Sequence, residues 1–111
     1  MKTLEELEKL TDDELRVMLA EIVNPGFEIA YWTYCNVTRD KDGDPQLEPI
    51  ADVPNYPGDL NACHEVDTKL TLEQSTQYVN LLWPQGYAPF QAVTAAPRKR
   101  TIALILTLQK P

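Results

Sequence analysis

Phe27-Glu28-Ile29-Ala30-Tyr31-Trp32-Thr33-Tyr34-Cys35-Asn36-Val37-Thr38 is a stretch rich in β-branched and aromatic residues that alternates with a two-residue period. That period and composition predict a strand. Phe27, Ile29, Tyr31, Cys35 and Val37 are expected on one face, with Glu28, Trp32, Tyr34, Asn36 and Thr38 on the other. Asp42-Gly43 is a hairpin signal, so residues 46–51 read as the return strand. Pro49 confines that strand to an edge.

The segments on either side carry helical signals. Thr3-Leu4-Glu5-Glu6 and Thr11-Asp12-Asp13-Glu14 are both capping boxes, in which the threonine hydroxyl takes a free N–H and the glutamate reaches back. They predict a short helix and then a second from about residue 12, with Leu15, Met18, Leu19 and Ile22 as one apolar stripe. Asn24-Pro25-Gly26 stops it. Beyond the hairpin, Val53 to Gly58 is a proline-rich link. Asp59 can cap a helix to about Leu70 with Cys63, Val66 and Leu70 inward. Thr71-Leu72-Glu73-Gln74 opens another helix, expected to carry Leu72, Val79, Leu82 and Trp83 and to end at Pro84-Gln85-Gly86. Tyr87 to Val93 reads as a short strand limited by Pro89.

Thr101-Ile102-Ala103-Leu104-Ile105-Leu106-Thr107-Leu108 is continuously apolar, and periodicity cannot separate a buried helix from a buried strand there. Thr94 as a cap, Pro97 in the first turn and a length of about 15 residues favour helix. The expectation is a small single α+β domain over residues 1–111. It would have N-terminal helices, a β-hairpin or small antiparallel sheet, two central helices and a C-terminal helix.

Composition narrows the function. Ten Lys and Arg against 17 Asp and Glu give a net charge of −7, which excludes broad nucleic-acid binding because phosphate neutralisation needs clustered cations. No apolar run approaches the ~20 residues that span a bilayer. Met1 to Leu10 does not read as a signal peptide, since acids interrupt it. Cys35 and Cys63 lack metal or redox spacing and read as buried, reduced residues. His64 beside Glu65 and Asp67 has no nucleophile placed by spacing and reads as structural. Asp40-Lys41-Asp42-Gly43-Asp44 superficially matches a calcium loop, but its glycine falls early and Ala51 stands where the loop needs glutamate. No catalytic residue, metal or cofactor is expected.

Three segments resemble the phage ABA-sandwich domain family, a group of small phage and prophage proteins. They are Leu10 to Val23, Pro54 to Val66 and Thr94 to Arg100. The likeness rests on Asp59-Leu60-Asn61-Ala62, His64-Glu65, and Thr94-Ala95 separated by two residues from Arg98. It implies a layered α+β fold, a phage or prophage source, and hence the host cytoplasm as location. It implies no particular activity.

All 17 acids precede Thr94, whereas four of the ten cations follow it. Arg98-Lys99-Arg100 stands near a helix start, where cations oppose the dipole. With Thr94 it forms a candidate anion site. Trp32 and Tyr34, on one expected face, could stack on a base. The function these features suggest is a non-enzymatic phage accessory protein that counters host defence by sequestering a nucleotide-type signal. In the competing structural reading, the cations pair with the acidic first helices and the aromatics pack in the core. The alternative functions are an acidic module binding a host protein, or mimicking nucleic acid, and a structural phage component. A homo-oligomer is expected, since small domains often complete a site across a two-fold.

Overall fold

In the computed structural model, which describes residues 2–82 and 96–109, the apolar C-terminal run is a helix and the other helices gather round it. The order is α1 (Leu4–Glu8), α2 (Asp12–Val23), β1 (Glu28–Ala30), β2 (Thr33–Arg39), β3 (Pro45–Asp52), a 3-10 turn (Tyr56–Gly58), α3 (Leu60–Asp67), α4 (Leu72–Leu82) and α5 (Pro97–Leu108). The class is α+β, with a three-stranded antiparallel sheet in the order β1-β2-β3.

Helix α5 packs on α1, α2, α3, α4 and the 3-10 turn. Arg100 through Ile105 and Thr107 are all buried. A helix enclosed on most sides needs no polar stripe, which is why its sequence shows no period. Its buried hydroxyls are satisfied within the helix: Thr101 donates to the Pro97 carbonyl at 2.9 Å and Thr107 to that of Ala103 at 2.8 Å. Its N-cap is Ala96, with no side-chain capping bond and Pro97 in the first turn. The cap expected at Thr94 falls instead on Ala96, because the helix starts at Pro97; the Trp83 and Pro84 helix end and the Tyr87 to Val93 strand lie outside the described residues.

The local caps form as the sequence indicates. Thr3 and Thr11 each close a complete capping box. Thr71 and Gln74 exchange bonds of 3.0 and 3.1 Å, and Asp59 accepts from the Asn61 N–H. Of Leu72, Val79 and Leu82, which the sequence places on helix α4, only Leu82 is buried. Tyr78 and Leu82 are buried, whereas Leu72 is 86% exposed and Val79 lies outside.

The opening strand is also corrected. It breaks at Tyr31-Trp32, which form a two-residue reverse turn between β1 and β2, with Ala30 paired to Thr33. Both turn residues have positive φ, 51° and 59°. These are the angles of the hairpin turn that matches strand twist, normally made by Asn and Gly. The reversal places Tyr34 opposite Ile29, so Trp32 and Tyr34 do not share a strand face.

Beyond Cys35 the β2–β3 ribbon leaves the body, and residues 36–52 are all exposed. Gly43, at φ 82°, closes the Asp40 to Asp44 loop at its tip. The long axis of the molecule is 60 Å against 26 and 25 Å for the others. The radius of gyration is 15.8 Å, where a compact chain of this length has about 13 Å. Layering of sheet on helix is thus confined to the ribbon's base.

Candidate functional site

Adjacent residues on a helix are turned by about 100°, so Arg98 and Arg100 point nearly opposite ways. Arg98 swings to the joint between α1 and α2. It pairs with Asp12 and donates to the carbonyls of Leu10 at 2.7 Å and Glu8 at 3.1 Å. Arg100 turns inward and is 3% exposed. Its guanidinium donates to the Tyr78 hydroxyl at 3.3 Å and lies 3.8 Å from the Asp67 carboxylate. Both arginines therefore compensate charge and carbonyl dipoles within the fold. Lys99 is exposed and, with Arg98 and Glu8, lines a cleft of about 440 Å³ walled by Leu4, Leu81, Ile102 and Leu106. Thr94 lies outside the described residues.

Tyr34 belongs to the core. It is buried, donates to the Ala20 carbonyl at 3.3 Å, and its ring sits 6.1 Å from that of Phe27. Trp32 is held elsewhere. Its carbonyl accepts from the Val53 N–H at 2.7 Å, and the Arg16 guanidinium lies 4.1 Å from its ring centre. Arg16 also donates to the carbonyls of Val53 and Pro54, tying α2 to the end of β3. The structure thus brings together neither the three cations with one another nor the cations with the aromatics.

Two chemically suggestive groups have structural partners. His64 Nδ1 lies 3.1 Å from the Asp67 carboxylate, one helical turn away. The Cys63 thiol is fully buried and donates to the Tyr56 carbonyl at 3.2 Å. Burial pushes that thiol's pKa up, a shift only partly opposed by a bond to Thr101 and by the charge of Arg100. A protonated, enclosed thiol is a poor nucleophile. The carboxylates of Asp40, Asp42 and Asp44 lie within 4.8 Å of one another at the ribbon tip and are exposed. Asp40 already accepts from the Asp42 and Asp44 N–H groups and from the Gln46 amide, so it folds the loop.

The sequence reading missed a shallow groove of about 480 Å³ on the outer side of α2. Leu10, Val17, Met18 and Trp32 line it together with Lys2, Asp13, Glu14 and Glu21. Its signal was present in the spacing. Asp13, Val17 and Glu21 recur every four residues, on the side away from the Leu15 and Leu19 stripe. Comparison with family models, with curated proteins and with solved structures finds no match for this chain.

Proposed function

We propose that this chain is a non-enzymatic, phage-type accessory protein that acts by binding another protein, with the β2–β3 ribbon as its reaching element. One observation carries this reading. Val37, Leu47 and Ile50 are each about half exposed on a ribbon that no helix covers among the described residues. Val37 and Leu47 are register partners, and Pro45 and Pro49 share their face by strand alternation. Two-stranded ribbons are at best marginally stable alone, so a projecting apolar face gains most when a partner covers it.

Charge selects the partner. The ribbon carries Asp40, Asp42, Asp44, Glu48 and Asp52 against Arg39 and Lys41, in a chain of net charge −7. The complementary surface is an apolar patch with a cationic rim, which the acids would steer toward contact. The nucleotide reading has weaker support, because Arg98 and Arg100 already hold internal partners.

Affinity capture from host extract tests the proposal with wild type and the Val37→Ser/Leu47→Ser double variant. Both side chains lie outside the core, so the variant should keep the wild-type denaturation midpoint. The expected result is capture of basic proteins by wild type, released by high salt and lost in the variant. Equal capture by both, or a thermal shift with nucleotides and none with protein partners, would overturn the proposal.

A further inference from the structure

We infer that the groove on the outer side of α2 is a binding site for lysine- and arginine-bearing segments of a partner protein. The inference rests on the reading of the chain as a protein binder and gives that partner a second, chemically defined contact.

The groove combines an apolar and aromatic lining with carboxylates at its margin. Val17 and Met18 lie between Asp13 and Glu21 on the helix surface, so a side chain with a long methylene stem and a cationic head meets both kinds of group it needs. The four acids and bases of the groove are unequal: Asp13, Glu14 and Glu21 face a single cation, Lys2, which lies 4.0 Å from Glu6. Glu14 uses one oxygen in the Thr11 capping box. Asp13 and Glu21 have no ion-pair partner among the described residues.

Glu21 is also misplaced by the helix's own electrostatics. It stands in the last turn of α2, where the dipole is negative and no basic residue compensates. A docked cation would relieve both unfavourable terms. Trp32 supplies an aromatic wall for the methylene stem, the Arg16 guanidinium already standing over its ring. Its backbone is held at φ 59°, a conformation costly for a bulky residue, and Arg16 and Val53 keep it there beside α2.

A labelled peptide of alternating arginine and leucine tests the site by fluorescence anisotropy, with a glutamate-for-arginine peptide as control. Wild type should bind the first peptide and not the second. Asp13→Asn/Glu21→Gln, isosteric and at the surface, should weaken binding by about tenfold. Glu65→Gln/Glu73→Gln removes the same charge from exposed positions on α3 and α4, outside both the groove and the ribbon, and should leave affinity within about twofold, because the Debye length is only ~8 Å at physiological salt. Absence of peptide binding to wild type, or equal losses in the two neutralised variants, would overturn the inference. The ribbon variant Val37→Ser/Leu47→Ser should still bind the peptide. A failed groove with a ribbon-dependent partner would refute this site alone, and a working groove with a dispensable ribbon would refute the ribbon's role alone.

Discussion

The guanidinium carbon of Arg16 lies 4.1 Å from the centre of the Trp32 ring, and the same guanidinium holds the carbonyls of Val53 and Pro54. One side chain of α2 thus clamps both the turn that starts the ribbon and the residues where the ribbon returns. Arg16→Ala should destabilise the fold by about 2 kcal/mol, from the lost ring contact and charge-assisted bonds. Arg16→Lys should recover only part, because an ammonium cannot bridge two carbonyls in a fixed fork. Denaturant midpoints measure the loss.

Tyr31 is 98% exposed and has φ 51°, so its side chain contributes little while its backbone is strained. Tyr31→Asn should raise stability by about 1 kcal/mol, since asparagine tolerates the left-handed region that this hairpin turn demands. A lower thermal midpoint in the variant would mean that the ring makes a contact worth more than the strain.

Arg100 is buried against Tyr78 and Asp67. Arg100→Ala leaves the largely buried Asp67 carboxylate with His64 alone among the described residues, takes the donor from the buried Tyr78 hydroxyl and opens a cavity, and should cost about 3 kcal/mol. The double variant with Asp67→Asn should lose less than the sum of the single variants. A strictly additive cycle in urea would show that the two groups do not interact.

Burial pushes the Tyr78 phenol from 10.0 up to about 12, against the opposing pull of Arg100. The Cys63 thiol is raised above its ordinary 9.0 for the same first reason. In both cases the fold favours the protonated form, so their stabilisation is complete below the unfolded values and is lost as pH rises through the folded ones. The denaturation midpoint should therefore fall between pH 9.0 and about 12. Tyr78→Phe should flatten the upper part of that decline.

What was legible in the sequence was local. Thr3, Thr11, Asp59 and Thr71 announce their helices because a cap is settled by residues two or three positions away. Thr101 to Leu108 could not declare itself, because enclosure by four helices and the 3-10 turn removes the polar face that makes a period visible. The Tyr31-Trp32 turn was hidden because its positive φ angles are held by Arg16 and Val53, distant in the chain, and not by the usual asparagine and glycine. The basic triad read as one cluster because its members are neighbours in sequence. Helical geometry sends Arg98 to Asp12 and Arg100 to Tyr78. Hydropathy alone did not single out Tyr78 on α4, yet the helix exposes Leu72 and Val79 and buries this amphipathic ring, whose hydroxyl the arginine can satisfy.

The prolines of β3 bear on how the protein behaves when crowded. Among the described residues the outer side of β3 pairs with no strand, and Pro45 and Pro49 remove N–H groups from it at every fourth position. A foreign strand laid along that side would find a broken ladder and could not template a growing fibril. The ribbon can therefore offer an apolar face without nucleating polymerisation, and the concentrated protein should remain dispersed.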